Sequence, residues 1–313
     1  MVWCASSEGV KALNKLRRFG SKASMYAMLT PTFTLLAVFS LVPFLWAFWT
    51  SFFDYEVGGD AKFVGLANYI EYLSDPTLVS SFVNLGFLTA FGLLTVTTAP
   101  LIIAKLIFSL KSEKARYLYR VLFLIPIVVP GVAGLMIWQG IVYGDTGILN
   151  ELLRLVGRED LTRGWLSDPD TVIWAIMFIG FPFAGGINIL IYYAGLAGIS
   201  ESVHEASELD GARGIRKFLK IDVPLVMSQM KLMVIMTVIG TIQGFEGMFI
   251  LTKGGPGLKT MVPGLWMYMN AFSFQRMGYA CAIGVILFLI ILGLTIINMK
   301  YFRSSEDLTA ESA

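Results

Sequence analysis

The residues best suited to chemistry in this 313-residue chain form one polar segment between two long apolar stretches. Its candidate functional positions are Glu205, Ala206, Ser207, Asp210, Gly211, Ala212, Arg213 and Pro224. Carboxylate and guanidinium groups form charge-assisted hydrogen bonds, so the segment is suited to binding a charged protein surface. His204 is the single histidine and has no second histidine or cysteine nearby, so we predict no metal site and assign its ring to the solvated surface.

A second set of polar and aromatic side chains lies within the apolar stretches themselves. These candidates are Phe183, Asn188, Thr237, Thr241, Gln243 and Glu246. A carboxylate in lipid costs roughly 3 kcal/mol or more, so Glu246 is expected to face the protein interior. The hydroxyl and amide groups of the set have an alternative role, because they can bond to backbone or to a neighbouring helix.

The chain is too apolar for a soluble protein of its length. Hydrophobic residues make up 56% of it and charged residues 15%, with a mean hydropathy of +0.70. A spanning helix needs about 20 mostly apolar residues, and six segments qualify: 26–52, 82–110, 118–142, 171–197, 225–251 and 278–302. We therefore predict an all-α, polytopic membrane protein with about six transmembrane helices. Four of the prolines inside these segments are expected to produce kinks or breaks: Pro43, Pro126, Pro130 and Pro182.

The distribution of basic residues predicts the orientation in the membrane. Fifteen of the 24 Lys and Arg residues fall on the side that carries both termini, and seven fall on the other side. By the positive-inside rule, both termini and the polar segment face the cytoplasm. The predicted organisation is a basic cytoplasmic segment 1–25, a transmembrane domain 26–302 that contains the cytoplasmic loop 199–224, and a cytoplasmic tail 303–313.

The polar segment is expected to form two short helices joined by a bend. Ser202 and Glu205 have the spacing of a capping box, so the first helix is expected to start near Ser202. Gly211 favours a bend after it, residues 212–220 can form the second helix, and Pro224 can start the next spanning segment. The residues alone leave open that Glu205 only caps a connecting helix and that the basic cluster only satisfies the positive-inside bias.

The loop resembles that of the permeases of binding-protein-dependent ABC importers. The family pattern is Glu-Ala-Ala, three variable positions, Gly and then Ile-x-Leu-Pro, and this chain has Glu205-Ala206-Ser207, Gly211 and Ile221-Asp222-Val223-Pro224. Ser replaces the third family residue, and a second proline soon after Pro224 is absent. Further motifs are similar to the carbohydrate-uptake branch, which includes maltose-type and glycerol-3-phosphate-type permeases: Phe63-Val64-Gly65-Leu66-Ala67-Asn68-Tyr69, Gly147-Ile148-Leu149-Asn150, Leu251-Thr252-Lys253-Gly254-Gly255-Pro256 and Gly278-Tyr279-Ala280.

The resemblance implies a type I importer permease in a bacterial or archaeal cytoplasmic membrane. In such permeases the loop docks into a cytoplasmic ATPase, so the eight positions of the polar segment become the expected coupling residues. The implied partners are a second permease in a heterodimer, an ATP-binding cassette ATPase dimer, an external solute-binding protein and membrane lipid, with no nucleic acid. The chain would supply half of a sugar path, and the six embedded residues become candidate path residues. For Glu246, a gate or structural pairing role competes with sugar contact.

The chain contains no G-x-x-x-x-G-K-[ST] phosphate-binding motif. The stretch 254–260 is superficially similar, but it lacks a glycine directly before Lys259 and is expected to be an outward-facing turn. We therefore predict that this chain is not an enzyme and has no cofactor, and that ATP and Mg²⁺ bind to the partner ATPase. Two other classes remain: a self-sufficient secondary transporter of a small polar solute, which needs coupling-ion groups near the midplane, and a membrane scaffold without a path.

Overall fold

The chain is mostly helical in the part that the structure describes. The computed structural model describes residues 26–181 and 185–301, with Met299 and Tyr301 described by their backbone alone. The predicted segments 1–25 and 303–313 and the candidate Phe183 lie outside the described residues. In chain order the elements are α1 (Tyr26–Thr50), β1 (Phe53–Asp54), β2 (Lys62–Phe63), α2 (Ala67–Ser74), α3 (Pro76–Phe108), α4 (Glu113–Val128), α5 (Gly131–Val142), α6 (Ile148–Leu155), α7 (Val172–Met177), α8 (Gly186–Ala197), α9 (Glu201–Leu209), α10 (Gly214–Leu225), α11 (Met227–Gln243), α12 (Glu246–Leu251), α13 (Pro263–Tyr268) and α14 (Met277–Tyr301).

Three described helices are long and apolar enough to cross a membrane: α1, α3 and the part Met277–Asn298 of α14. Their number rises to five if the bent pairs α4–α5 and α10–α11 each form one span. The predicted total of six stays a prediction. The remaining segment, 171–197, contains α7 and α8, and residues 182–184 between them lie outside the described part.

The predicted span 118–142 is two helices at a sharp angle. The axes of α4 and α5 differ by 91°. Val129 between them is extended, with ψ of 125°, because the proline that follows disfavours a helical backbone in the preceding residue. The interruption expected at Pro126 and Pro130 is therefore confirmed.

The predicted span 225–251 is not one helix, and its predicted end lies too far along the chain. The helical course starts earlier, in α10, bends by 68° into α11 and ends at Gln243. The next residue, Gly244, is extended with ψ of 123°, and its amide donates to the carbonyl of Gly240 at 2.8 Å. Because α12 is a separate helix, Glu246 lies just after a helix break and not inside a spanning helix.

α3 is the central helix of the described bundle and packs against α8 and α11. Near the predicted cytoplasmic end, the core contains Val96, Leu101, Ala104, Ile107, Ile189, Tyr192, Leu196, Val226 and Met233. A second cluster nearer the predicted outer end contains Tyr72, Leu85, Ile242, Tyr279, Ile283 and Leu287. Because lipid is as apolar as these side chains, close packing of the helices and not removal from water holds the bundle together.

Asp75 joins three elements at the predicted outer end. Its Oδ2 atom accepts hydrogen bonds from Trp266 Nε1 and the Tyr279 hydroxyl, both at 2.9 Å, and its Oδ1 atom accepts one from the Thr77 amide at 2.8 Å. Burial alone would raise the pKa of this carboxyl, but the hydrogen bonds outweigh it and hold the pKa below its ordinary value. The ionised carboxylate therefore attaches α13 and α14 to the start of α3.

α14 begins in direct contact with the backbone of the β1–β2 hairpin. The amide of Gly278 donates to the carbonyl of Tyr55 at 3.1 Å. A Cβ atom added at Gly278 would lie 1.9 Å from the carbonyl oxygen of Phe53. The hairpin and the helix can therefore meet in this way only because the residue is glycine.

Asn150 organises the connection that contains α6. Its side-chain amide donates to the carbonyls of Gly144 and Asp145 at 3.3 Å and of Arg163 at 3.0 Å. Its Oδ1 atom accepts a hydrogen bond from Trp165 Nε1 at 2.9 Å. Asn150 is only 2% exposed, so these hydrogen bonds replace solvent for a buried polar group.

Candidate functional site

The polar segment folds as the helix, bend and helix that its sequence predicts. α9 starts at Glu201, and Ser200 precedes it without a side-chain capping bond. The hydroxyl of Ser202 instead lies 3.0 Å from that of Ser200. The predicted capping box with Ser202 as the N-cap is therefore wrong, because the helix begins before that residue.

Gly211 forms the bend, as predicted. Its φ of 72° is in the left-handed region, which glycine adopts without steric cost. The amide of Ala212 donates to the carbonyl of Ser207 at 2.9 Å, and that of Gly211 donates to the carbonyl of Glu208 at 3.1 Å. These two hydrogen bonds form a Schellman motif, which satisfies the last carbonyls of α9.

The predicted coupling residues differ in exposure. Exposed positions are Glu205, Ala206, Asp210, Gly211, Arg213 and Pro224, whereas Ala212 is half-buried and Ser207 is buried. The Ser207 hydroxyl donates to the carbonyl of His204 at 2.6 Å. The hydroxyl that replaces the family alanine is thus satisfied within its own helix.

The prediction that His204 is a solvated surface residue is wrong. Its ring lies 6.1 Å from the Phe108 ring, and the planes are tilted by 33°. Its Nε2 atom is buried and has no hydrogen-bond partner among the described residues. His204 therefore contacts the end of α3, whereas Glu205 beside it in α9 is exposed.

The tip of the loop also carries exposed apolar side chains that the sequence prediction did not select. Leu209, at the end of α9, is 90% exposed, and Ile215 in α10 is 76% exposed. Leu219 is 58% exposed. Apolar residues within a charged segment were the available signal, but a sequence does not indicate on which side of a short helix they lie.

The base of the loop is fixed in the apolar core. Phe218 and Val223 pack against the core cluster at the predicted cytoplasmic end, and Val226 is part of it. Pro224 lies within α10, before the 68° bend. The prediction that Pro224 starts the long helix is therefore wrong, because α11 begins at Met227.

A cleft of about 540 Å³ lies beside α3, α7, α11 and α12. Three predicted path residues line it: Thr241, Gln243 and Glu246. Among the described residues, Glu246 takes part in no ion pair or side-chain hydrogen bond. The Thr241 hydroxyl donates to the Thr237 carbonyl at 2.8 Å, so the alternative role of backbone bonding is confirmed for this hydroxyl.

A smaller cleft of about 230 Å³ contains the other two described candidates, Asn188 and Thr237. Both clefts are lined by Phe91, Gly92 and Met177. The structure therefore distributes the described path candidates over two adjacent clefts. The three shared residues were not predicted, because an apolar side chain that lines a cleft has the same sequence signature as one in the core.

α3 and α11 approach closely where the two clefts adjoin. A Cβ atom added at Gly92 would lie 3.2 Å from Thr237 Cγ2 and 3.8 Å from Thr241 Oγ1. Gly240, whose spacing with Gly244 is typical of close helix packing, has no atom within 4 Å of an added Cβ. The close helix approach therefore occurs at Gly92, and Gly240 lines the larger cleft.

Sequence comparisons indicate one consistent family. The family described as "Binding-protein-dependent transport system inner membrane component" matches residues 97–302. The probable ABC transporter permease protein YurN of Bacillus subtilis (strain 168) is 30% identical over 288 residues, which cover 92% of this chain and 98% of YurN. The trehalose/maltose transport system permease protein MalF of Thermococcus litoralis is 28% identical over 284 residues, which cover 90% of this chain and 94% of MalF.

Solved structures share this fold. One is a bacterial ABC transporter involved in the import of the acidic polysaccharide alginate, with a TM-score of 0.79 and 18% identity over 93% of this chain and 100% of that chain. Another is a bacterial alginate ABC transporter in complex with an alginate pentasaccharide-bound periplasmic protein, with a TM-score of 0.76 and 19% identity. The superposed region covers 90% of this chain and 94% of the chain of that transporter. The likeness confirms the predicted helical architecture.

Proposed function

This chain belongs to the family of binding-protein-dependent transport system inner membrane components, and from that membership we propose that it forms half of a path that carries a sugar or oligosaccharide into the cell. The chain is a multi-pass membrane permease of an ABC importer and not an enzyme. The family predicted from its loop motif is therefore correct. Beyond the family, we propose that the transported solute is a sugar, and we propose which residues line its path and which couple the chain to the ATPase.

A carbohydrate is the substrate class that the relatives and the larger cleft favour. The names of two relatives specify trehalose/maltose and arabinooligosaccharides as their transported compounds. Sugars present apolar ring faces and many hydroxyls, so a site for them combines aromatic surfaces with a few polar groups. The cleft offers Phe91 and Phe245 beside Thr241, Gln243 and Glu246. Glu246 has no ion-pair partner among the described residues, which leaves its carboxylate free to accept hydrogen bonds from sugar hydroxyls.

The loop 199–224 is the proposed contact with the ATPase, and the exposed apolar tip is the observation that carries this assignment. Leu209 is 90% exposed, and the same segment exposes charged groups around it, among them Glu205, Asp210 and Arg213. Protein interfaces combine an apolar centre with a polar rim. Docking into a groove would cover Leu209 and allow the charged groups to pair with the partner.

The proposed assembly contains a second permease as heterodimer partner, two copies of an ATP-binding cassette ATPase and an external solute-binding protein. ATP and Mg²⁺ bind to the ATPase, and the complex resides in the cytoplasmic membrane of a bacterium or archaeon. Closure of the ATPases would move the loop and bias the bundle toward a state that is open to the outside. A self-sufficient secondary transporter is disfavoured by the family membership.

The test compares a Glu205→Ala, Gly211→Pro double variant with Glu201→Ala, a matched control on the same exposed helix. Proline cannot adopt the φ of 72° at residue 211, so the double variant removes both the bend and the carboxylate. We expect loss of ATPase co-purification and of ATP-dependent uptake of labelled trehalose, maltose and arabinotriose, at a normal amount of permease in the membrane. The control should retain both activities.

Retention of both activities by the double variant would contradict the coupling role and favour the secondary transporter. If the unmutated complex retains its ATPase but takes up none of the three sugars, the substrate class is wrong and the coupling role stands. The two parts of the proposal are therefore tested separately.

A further inference from the structure

An ion pair joins the carboxyl end of α3 to the base of the 199–224 loop. The Nζ atom of Lys105 lies 2.6 Å from the Oδ2 atom of Asp222. The Asp222 side chain is fully buried, and that of Lys105 is 24% exposed. Asp222 ends the π-helical stretch Phe218–Asp222 inside α10, just before the chain bends into α11.

Lys105 forms an ion pair with this buried carboxylate. Neither oxygen of Asp222 accepts a hydrogen bond from a described residue, and the Lys105 ammonium meets Oδ2 at ion-pair distance but outside hydrogen-bond geometry. On either side of Asp222, Phe218 and Val223 pack against the apolar core. The pair therefore lies where the exposed loop enters the bundle.

A buried ion pair specifies position more than it adds stability. It is often no more stable than two apolar side chains of the same size, but one member left without the other is strongly unfavourable. A displacement of the loop base must therefore carry α3 with it or leave a buried charge unpaired. The Lys217–Glu208 pair within the loop imposes no such constraint, because Glu208 is 66% exposed and water can compensate its charge.

We propose that the Lys105–Asp222 ion pair makes α3 follow the loop when the ATPase moves it, an inference that rests on the coupling function proposed above. α3 is one continuous helix from Lys105 to Gly92, which lines both clefts. At 1.5 Å per residue this distance is roughly 20 Å. A displacement at the end of α3 is therefore transmitted to the surface of the clefts. Lys105 and Asp222 act as positioning residues and make no contact with the transported solute.

The test follows movement at the cleft when nucleotide binds. Thr95, which lines the smaller cleft, is replaced by cysteine in a chain whose Cys4 and Cys281 are serines, and it is labelled with bimane. The labelled permease is purified together with its partner permease and ATPase. The change in bimane fluorescence on addition of AMP-PNP and Mg²⁺ is measured, and the amount of bound ATPase is determined in the same sample.

Asp222→Asn and Lys105→Met should each reduce the fluorescence change by about fivefold or more, with the amount of bound ATPase unchanged. The exchange of Lys105→Asp with Asp222→Lys should restore most of the response at an unchanged amount of bound ATPase, which assigns the loss to the pairing and not to either side chain alone. Lys105→Met combined with Asp222→Leu leaves no unpaired buried charge, so it should fold and still respond weakly. Lys217→Met is the matched control and should respond within about twofold of the unmutated complex.

A full response in Asp222→Asn or in the apolar double variant, with ATPase bound, would overturn the proposed role of the ion pair and leave the coupling function standing. Failure of the charge exchange to restore the response would also overturn it, because pairing would not be the cause of the loss. The absence of any nucleotide response in the unmutated complex would overturn the coupling function as well.

Discussion

Replacement of Gly278 by alanine is expected to destabilise the contact between α14 and the hairpin. The added Cβ atom would lie 1.9 Å from the Phe53 carbonyl oxygen, and contacts below 3.0 Å are essentially not observed for real Cβ atoms. The helix and the hairpin must therefore separate by roughly 1 Å, the difference between these two distances. At that separation the hydrogen bond from the Gly278 amide to the Tyr55 carbonyl, now 3.1 Å long, is lost.

The size of the effect is the sum of two costs and one gain. Overpacking of a tight contact costs about 1–3 kcal/mol, and the lost hydrogen bond costs about 0.5–1.5 kcal/mol. Alanine has a higher helix propensity than glycine, which stabilises the folded state by up to about 1 kcal/mol and by less at a helix end. We expect Gly278→Ala to lower the free energy of unfolding by about 0.5–4.5 kcal/mol, with a central value of about 2.5 kcal/mol.

Gly293→Ala, in the same helix, is the matched control because its added Cβ atom meets nothing within 4 Å. It should leave the free energy of unfolding unchanged or raise it by up to about 1 kcal/mol. Unfolding of both purified variants in detergent by guanidinium, followed by tryptophan fluorescence, measures the difference. Equal stability of the two variants would refute the inference that backbone contact fixes glycine at residue 278.

The outer contacts and the loop bend give three further expectations. Because the pKa of Asp75 lies below its ordinary value of 3.8, its carboxylate stabilises the fold above that pH, and this stability is lost as the pH falls through the lower value. The melting temperature of the unmutated protein should therefore fall more than that of Asp75→Asn between about pH 5 and pH 3. Asn150→Ala leaves the Trp165 indole N–H and the Arg163 carbonyl without their hydrogen-bond partner, should cost about 2 kcal/mol or more, and is measured as faster proteolysis between α6 and α7. Gly211→Ala has steric room but an unfavourable φ of 72°, so it should weaken ATPase co-purification by about fivefold, whereas Gly211→Asn should lose less.

Local chemistry accounts for the parts of the loop that could be predicted. Gly211 was identified as the bend because only a residue that tolerates positive φ closes a helix with a Schellman motif. The N-terminal boundary of α9 was misplaced because a capping-box spacing at Ser202 occurs without the corresponding hydrogen bonds. The half-buried position of His204 depends on the Phe108 ring of another helix, which no local pattern of α9 contains.

The sequence predicted the polar residues that line the candidate path, but it did not predict the shape of the clefts. Thr241, Gln243 and Glu246 were selected because polar groups in apolar segments need a partner or a cavity, and all three line the larger cleft. Asn188 and Thr237 line the smaller cleft instead, and the two clefts adjoin at Gly92, where α3 and α11 approach each other. A glycine in an apolar segment does not indicate in the sequence which helix will pack against it.

The transmembrane character, the family and the bend of the loop could be predicted because composition, motif spacing and glycine conformation are local properties of the chain. Which residues distant in sequence come together depends instead on the folded arrangement of the helices. Asp222 pairs with Lys105 across 117 positions, and Gly278 meets the hairpin backbone that begins at Phe53. Such contacts depend on how rigid helices pack, and many arrangements of the same apolar segments satisfy the same hydropathy pattern. Close backbone contacts such as that at Gly278, together with buried ion pairs such as Lys105–Asp222, select one of these arrangements.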